Sequence, residues 1–502
     1  MNQIFEQLKK ELDRVQALEM SLVLFGWDNA TQAPKEAIEN TAKAMGILSG
    51  EYYNFLINDK VKGLLKQLDQ EKDLDAYEKA VLKEVKKSYE DLELIPAEEY
   101  QEYSELTSIS QHVWEEAKEK NDFSIFAPTL NKIIEFQKKF ADYALEKKGG
   151  FATRYDKLLN DYEEGFTTKE LDEFFEQLKE TIVPLVKMVV KKNDQIKKDY
   201  AYRTYPVEQQ REFNRFLAEY IGFDFNKGVI AESVHPFTTN LHNKDVRITT
   251  AYLENLVESA MFSTIHEGGH ALYEMGVDDA FTFSPVGGGS SMGMHESQSR
   301  LFENNIGRSR AFWEPVFPKL KELFKEQLQD VDFDTFMIGI NKAEPSLIRT
   351  EADELTYCLH IMIRYEIEKQ FMNEDLTMEE IKELWNQKYE EYLGVTPTND
   401  TEGVLQDVHW SQGSIGYFPS YAIGNAVASQ IYAHLKTVMP LEEHLRNGEL
   451  QPIIDYLREH IHRFGKTKTM QQILKDMTGE GFNPIYYTEY LKEKYTAIYE
   501  NL

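Results

Sequence analysis

Apolar residues three and four positions apart recur through most of the first 220 residues, and this spacing constrains the fold more than any other feature. The series Leu171, Phe174, Leu178 and Ile182 is one example. Side chains at this spacing line one face of an α-helix. Gly and Pro, which interrupt helices, number 27 and 15 among 502 residues, a smaller share than the ~12% of average proteins. The sequence therefore predicts a mainly α fold with a large helical body.

A change of residue type marks a shorter part of the chain. Phe223–Phe225 and Asp245–Thr250 are rich in β-branched and aromatic residues, and Ser346–Arg349 has a similar character. Because such residues favour strands, we expect a few short β-strands there. The helical spacing returns from Tyr252 to Glu274, and Gly276 is a candidate for the residue that ends this helix.

Composition and charge restrict the classes of function. No internal repeat or Pro/Gly/Ser-rich linker interrupts the chain, so we expect one domain over residues 1–502. A net charge of -30, from 86 Asp and Glu against 56 Lys and Arg, argues against binding to nucleic acid or to anionic membranes. The lone cysteine, Cys358, precludes an intrachain disulfide and is expected to be buried.

The sequence also lacks the signals of membrane insertion and secretion. No apolar run approaches the ~20 residues that a membrane-spanning helix needs. The N-terminal residues mix charged and apolar side chains and contain no signal-peptide core. We therefore expect a soluble, cytoplasmic protein.

One short motif points to metal chemistry. His266-Glu267-Gly268-Gly269-His270 lies in the predicted helix that ends near Gly276. Since an α-helix has about 3.6 residues per turn, the two histidines lie on one face and reach the same tetrahedral Zn²⁺. Glu267 is placed to act as a general base. Each mid-helix glycine destabilises a helix by ~1 kcal/mol relative to alanine, which predicts a close approach of backbone or substrate there.

A catalytic zinc site needs a third protein ligand. The best candidate is Glu296, which follows the glycine-rich stretch 286–293 and lies near the start of a second predicted helix. His295 and Glu303 are the alternatives. If Glu296 is the ligand, the two helices face each other across the metal.

Five further motifs resemble those of the carboxypeptidase Taq family of metallocarboxypeptidases. In chain order they are HPF at His235–Phe237, DxRxT at Asp245–Thr249, HES(G)Q at His295–Gln298, IRxxAD at Ile348–Asp353 and GxxQDxHW at Gly403–Trp410. The N-terminal segment Gly26–Pro34 also resembles the family, although Ala33 stands where a methionine is expected. The resemblance thus extends over residues 235–410, and the chain length fits a full-length member.

This resemblance implies a helical fold with a deep substrate groove, similar to that of neurolysin and angiotensin-converting enzyme, and a zinc-site region at about residues 235–425. It implies one divalent ion per chain, zinc or cobalt as a substitute, held by His266, His270 and Glu296 with Glu267 as the base. It also implies a homodimer. The expected substrates are peptides with a free C-terminus, which lose single amino acids with broad specificity, proline being disfavoured.

An exopeptidase must also recognise the free carboxylate of its substrate, and the planar fork of an arginine is suited to this task. Arg349 is the favoured candidate and Arg247 the alternative. For each arginine the competing interpretation is a structural ion pair with a nearby acid such as Asp353 or Asp245.

The remaining motif residues are candidates for contacts with the substrate or the metal ligands. Tyr421 and His409 are candidates to donate to the developing oxyanion. His235 is predicted to line the same groove, and Gln406 to hydrogen-bond the substrate backbone. Asp353 is predicted to orient a metal ligand without contacting the metal.

Two other functions are compatible with the residues. An endo-oligopeptidase of the neurolysin type shares the zinc chemistry but needs no group that binds a terminal carboxylate. A non-catalytic helical scaffold would bind a basic partner through its acidic surface, and its HExxH sequence would be incidental.

Overall fold

The computed structural model describes residues 2–500 and 502. These residues are mainly helical, which confirms the predicted fold class. The first helices are α1 (Gln3–Thr31), α2 (Ile38–Leu56), α3 (Asp59–Leu68), α4 (Ala76–Glu93), α5 (Ala97–Lys120), α6 (Phe123–Lys147), α7 (Arg154–Tyr162), α8 (Thr168–Val190), α9 (Val207–Tyr220), α10 (Val257–Gly276) and α11 (Met292–Arg300). The later helices are α12 (Arg310–Leu323), α13 (Lys325–Leu328), α14 (Phe333–Gly339), α15 (Tyr357–Asn373), α16 (Met378–Leu393), α17 (Pro419–Val438), α18 (Leu441–Asn447), α19 (Gln451–His460), α20 (Met470–Thr478) and α21 (Ile485–Glu500).

Helix α8 shows how the apolar spacing produces these elements. Its start is fixed by a capping box, in which the Thr167 hydroxyl accepts from the Glu170 N–H and the Glu170 carboxylate accepts from the Thr167 N–H. The predicted series Leu171, Phe174, Leu178 and Ile182 is buried along one face of this helix. Burial of such a face supplies most of the stability of a helix in a folded protein.

Three short strands form one sheet within the described residues: β1 (Gly228–Glu232), β2 (Thr238–His242) and β3 (Asp245–Thr250). The strand order is β1-β3-β2, with β1 parallel and β2 antiparallel to β3. The prediction for Asp245–Thr250 is therefore confirmed. Apolar residues of β3 pack on α9 and α10 in a buried cluster that includes Ala218, Val246, Ile248, Ala271 and Met275.

Two predicted strands are wrong. Phe223–Phe225 is not a strand because the Phe223 N–H donates to Ala218 O and closes the C-terminus of α9, after which the chain turns. Ser346–Arg349 is not a strand either, since the Arg349 N–H donates to the side chain of Gln406. Arg349 instead begins a short 3-10 helix, Arg349–Glu351.

Helix α10 begins later than the apolar spacing predicts. Leu253 O accepts from the side chain of Gln210, and Glu254 O accepts from the Tyr205 N–H. Leu253 O also accepts from the Leu256 N–H in a tighter turn, and the regular helix starts only at Val257. Gly276 is its last residue, and a Cβ there would lie 2.6 Å from Cβ of His462, so close packing explains this glycine.

The chain divides into two compact units. Unit 1 comprises residues 1–92, 198–340 and 431–482, and unit 2 comprises residues 93–197, 341–430 and 483–502. The single domain over residues 1–502 stays a prediction. In unit 2, Cys358 is buried as predicted, and its Sγ lies 3.4 Å from the Tyr487 hydroxyl. Of the helices in the described part of the chain, none is long and apolar enough to cross a membrane.

Candidate metal centre

Helices α10 and α11 of unit 1 bring together the three residues predicted as metal ligands. The Nε2 atoms of His266 and His270 lie 3.7 and 3.4 Å from Oε2 of Glu296. The three ligand atoms all lie within 4.8 Å of one another. Two of these candidate ligands are one turn apart on α10, and the third is on α11.

The chemistry and spacing of this group fit one divalent ion. Two imidazole nitrogens and one carboxylate oxygen form a donor set of catalytic zinc sites, in which a fourth position stays open for water or substrate. Tetrahedral bonds of ~2.0–2.2 Å place ligand atoms roughly 3.3–3.6 Å apart. The separations of 3.4 and 3.7 Å from Glu296 are close to this value.

A chain of hydrogen bonds sets the tautomer of His270. His295 Nε2 lies 2.7 Å from Oε1 of Glu274, and His295 Nδ1 lies 2.6 Å from Nδ1 of His270. Because a carboxylate only accepts, His295 donates through Nε2 and accepts through Nδ1. His270 then donates through Nδ1, which leaves the lone pair of its Nε2 for a metal. Burial lowers the pKa of His270 to about 3, which favours this neutral form.

His266 is oriented by a carboxylate. Its Nδ1 lies 2.8 Å from Oε2 of Glu303, so this nitrogen donates and Nε2 is left for a metal. Burial disfavours the ionised form of Glu303, but Arg300 and the hydrogen bond from His266 lower its pKa to about 2. The alternative ligands His295 and Glu303 therefore contact the Nδ1 atoms of the histidines, whereas Glu296 faces the Nε2 atoms.

Glu296 divides its two oxygens between an arginine and the histidines. Oε1 accepts from Nε of Arg300 at 2.6 Å, and Oε2 is the oxygen near His266 and His270. Burial raises the pKa of Glu296, but Arg300 and the two histidines hold it well below its usual range. The side chain is thus ionised and offers an oxygen to a cation.

The two glycines of the motif permit close packing around α10. A Cβ on Gly269 would lie 2.7 Å from both the backbone oxygen of Gln298 and Cα of Ser299 in α11. A Cβ on Gly268 would lie 2.3 Å from Cδ1 of Ile221. The close approach expected from the sequence is therefore a backbone contact with the helix that carries Glu296.

In unit 2, Arg349 and Arg364 share one carboxylate, and we call these residues and Asp407 the arginine–aspartate cluster. Nε of Arg349 donates to Asp407 Oδ1 at 2.9 Å, and Nε of Arg364 donates to Asp407 Oδ2 at 2.7 Å. Arg349 also donates to the Tyr357 hydroxyl at 3.0 Å. All three members of the cluster are largely buried. Burial raises the pKa of Asp407, but the two guanidinium groups hold it well below its usual range.

Other predicted substrate residues of unit 2 lie beside this cluster. Nε2 of His409 lies 3.1 Å from the Tyr421 hydroxyl, and the Arg349 guanidinium carbon lies 5.2 Å from the centre of the Tyr421 ring. Gln406 accepts from the Arg349 N–H and donates to Leu347 O. Burial and the charge of Arg349 lower the pKa of His409 to about 3, so its imidazole is neutral.

The remaining predicted residues make mainly structural contacts. Asp353 in unit 2 accepts from the N–H groups of Glu344, Leu355 and Thr356 just before α15. In unit 1, Arg247 pairs through two hydrogen bonds of 2.8 Å with Asp245, and His235 is exposed in the loop before β2.

Comparison with known proteins identifies the family. The family model described as carboxypeptidase Taq (M32) metallopeptidase matches residues 7–495. The chain belongs to the carboxypeptidase Taq family. It is 43% identical to carboxypeptidase 1 of Bacillus subtilis over 97% of each chain, and 36% identical to thermostable carboxypeptidase 1 of Pyrococcus furiosus over 98% of this chain and 99% of the other.

Solved structures of the family are similar throughout. The carboxypeptidase of Pyrococcus furiosus superposes with a TM-score of 0.94 at 36% identity and covers 99% of both chains. That of Deinococcus radiodurans superposes with a TM-score of 0.95 at 34% identity, over 99% of this chain and 100% of the other. The chain is therefore a metallocarboxypeptidase with the helical body of its family, and the family resemblance seen in the sequence is confirmed.

Sequence reasoning missed several residues of this metallocarboxypeptidase. Glu274 contacts His295 and Arg300 contacts Glu296 beside the candidate metal ligands, and Arg364 and Asp407 form most of the cluster around Arg349. Asp407 lies within the GxxQDxHW motif, so a signal for it was present. Arg364 lies outside the motifs, in a run of α15 residues from Tyr357 to Tyr365 that are all buried.

Glu368, a fully buried carboxyl group on α15, is also absent from the residues predicted from the sequence. It accepts from the Tyr155 hydroxyl, Nε1 of Trp410 and the Gly416 N–H, at 2.8, 2.8 and 2.9 Å. Burial raises its pKa to about 7, although these three donors oppose the shift. The folded protein therefore holds a proton on Glu368 at pH values where the unfolded chain does not.

Replacing Gly269 by Ala should weaken metal binding. The added Cβ meets the backbone of α11, so Glu296 must move away from the histidines. We expect the affinity for zinc to fall roughly tenfold or more, as for the loss of groups that orient metal ligands. Equilibrium dialysis in zinc buffers measures this change.

The matched control is Gly63→Ala in α3, where a Cβ meets nothing within 4 Å. Zinc affinity should stay unchanged and stability should rise by ~0.5–1 kcal/mol. Equal zinc affinity in the Gly269→Ala variant and the wild type would contradict the packing argument.

The raised pKa of Glu368 predicts a pH-dependent stability. Between the ordinary pKa near 4.5 and about 7, the folded state binds more protons than the unfolded state, so stability falls as pH rises through this range and levels off above it. The loss is on the order of 3 kcal/mol. Melting temperatures from pH 5 to 8 should fall more steeply for the wild type than for Glu368→Gln, whose amide does not ionise. Parallel curves for the two proteins would disprove the assignment.

Proposed function

We propose that this protein is a zinc-dependent carboxypeptidase that hydrolyses the last peptide bond of a peptide and releases single amino acids with broad specificity. The observation that carries the proposal is the donor set of His266, His270 and Glu296, with ligand atoms within 4.8 Å of one another. Glu267 is adjacent to the first ligand in the chain. Membership of a metallocarboxypeptidase family supports this activity over an endo-oligopeptidase and over a non-catalytic scaffold.

The proposed chemistry uses one residue of the motif as a proton carrier. When bound to His266, His270 and Glu296, zinc supplies Lewis-acid polarisation of the scissile carbonyl and of a water molecule. Glu267 removes a proton from this water as the water oxygen attacks the carbonyl carbon. Glu267 then returns the proton to the nitrogen of the departing amino acid as the C–N bond breaks.

Recognition of the substrate carboxylate is assigned to Arg349. The arginine–aspartate cluster holds two guanidinium groups against one carboxylate, so its three members carry a net charge of +1 in a buried position. A free C-terminal carboxylate supplies the missing negative charge. Arg247 is the weaker candidate because Asp245 already neutralises it one to one.

The other substrate contacts remain predictions. His409 is proposed to bind a substrate oxygen, and its Nε2 lies 3.1 Å from the Tyr421 hydroxyl. Tyr421, its neighbour, is proposed as a second donor. The roles predicted for His235, Gln406 and Asp353, one zinc or cobalt ion per chain, the homodimer and the cytoplasmic location also stay predictions.

A pair of peptides that differ only at the C-terminus tests the proposal. The wild type should release the last amino acid from the free acid and leave the C-terminal amide intact, because only the acid compensates the cluster. Arg349→Ala should lose at least tenfold in kcat/KM on the free acid with zinc content unchanged, while Asp407 keeps Arg364 as its partner. Mass spectrometry of the products over time, with and without a chelator, measures all of these outcomes.

Arg247→Ala is the control for the choice of arginine, and it should change kcat/KM on the free acid less than Arg349→Ala does. Equal cleavage of acid and amide by the wild type would exclude an exopeptidase. Loss of zinc in the Arg349→Ala variant would show that this arginine has a structural role.

Glu267→Gln should abolish turnover without releasing the metal. The amide keeps the shape of the side chain but does not accept the proton, so we expect kcat to fall by at least ~100-fold. Zinc content measured by mass spectrometry should equal that of the wild type. Glu258→Gln on the first turn of α10 is the matched control for the loss of a buried carboxylate, and retained activity in Glu267→Gln would remove Glu267 as the base.

A further inference from the structure

Strand β2 presents alternate side chains to helix α10. In the sheet, Thr238 pairs with Ile248 and Asn240 pairs with Val246, whereas Thr239 pairs with Arg247. Paired residues lie on the same face of a sheet, and successive residues of a strand lie on opposite faces. Since Val246 and Ile248 are buried in the cluster with α10, Thr238 and Asn240 are on the face directed at this helix.

Thr238 contacts the proposed general base directly. Its Oγ1 lies 2.5 Å from Oε2 of Glu267 and 3.2 Å from the backbone oxygen of the same residue. An ionised carboxylate only accepts, so the threonine hydroxyl donates. This hydrogen bond is made to Oε2, so the threonine hydroxyl does not engage Oε1.

Asn240, two residues further along β2, contacts a different network. Its Nδ2 donates to Oε2 of Glu274 at 2.6 Å, and Oε1 of Glu274 lies next to His295. His295 in turn contacts Nδ1 of the metal ligand His270. One strand therefore supports the base through Thr238 and a metal ligand through Asn240, by separate contacts.

We propose that Thr238 is a positioning residue that holds the Glu267 carboxylate in the orientation required for proton transfer. This inference rests on the function proposed above, in which Glu267 is the base. Proton transfer requires the base within hydrogen-bond reach of the water, and a small displacement of a catalytic group lowers the rate sharply. Thr238 does not contact the metal ligands themselves, so its effect falls on the catalytic step.

The test compares three variants of β2 in the zinc-loaded protein. Thr238→Val keeps the shape of the side chain and removes the donor, and we expect kcat on a free-acid peptide to fall about 10- to 100-fold. KM and zinc content should stay within about twofold of the wild type, since the groups that hold substrate and metal are unchanged. Thr238→Ser restores the hydroxyl and should recover most of kcat.

Thr239→Val is the matched control, because it makes the same change on the other face of the strand. It should leave kcat and zinc content unchanged. A wild-type kcat in Thr238→Val would overturn the proposal. So would a loss of kcat in which zinc is lost to the same extent, since this outcome indicates a structural role.

A second readout does not depend on activity. A crystal structure of zinc-loaded Thr238→Val should show the Glu267 carboxylate turned away from its wild-type position or in more than one orientation. An unmoved carboxylate would contradict the positioning role. If the wild type fails to release amino acids while the carboxylate moves as expected, the proposed function is wrong and the hydrogen-bonding role of Thr238 still stands.

Discussion

The contact between Gly269 and the backbone of α11 is the constraint on which the metal centre depends. An α-helix alone positions His266 and His270, because residues four apart share a face. The third candidate ligand, Glu296, belongs to another helix, and its distance from the histidines is set by how closely the two backbones approach. Since any side chain at position 269 would collide with Gln298 and Ser299, the missing Cβ determines where Glu296 lies. The glycine lowers the helix propensity of this position, but it allows the close approach of α11 that places Glu296 near the two histidines.

The groups around the candidate ligands also compensate the charges of several ionisable side chains that are buried close together. Burying a carboxylate without a partner is strongly unfavourable. Glu296 and Glu303 therefore share Arg300, while Glu274 is satisfied by His295, Asn240 and the Gly289 N–H. The same contacts fix the imidazole tautomers, so the arrangement that stabilises the carboxylates also directs both Nε2 atoms to one point. A divalent cation at that point would further compensate the negative charge.

Local parts of this structure could be predicted from the sequence, and long-range pairings could not. The shared face of His266 and His270 follows from helix geometry alone, and the buried face of α8 follows from its apolar spacing. The partners of Arg349 and the start of α10 depend on contacts between residues distant in the chain, such as Gln210 with Leu253. Residues 223–225 have side chains that favour strands. The spacing of these side chains does not indicate that the Phe223 N–H donates to the last turn of α9. Glu296 can be proposed from the sequence because its motif places it near the start of a helix, whereas no motif includes Arg364.

The two candidate arginines show why residue type alone does not identify a binding group. Arg247 and Arg349 each make paired contacts with an aspartate, and each matches the interpretation as a structural ion pair. The difference lies in the number of charges. Asp245 faces one arginine, whereas Asp407 faces two, and Arg364 is fully buried while Arg349 is nearly so. A buried pair of one positive and one negative charge is already neutral without a ligand. A buried cluster whose members carry one positive charge in excess interacts more favourably with a carboxylate than with a neutral amide.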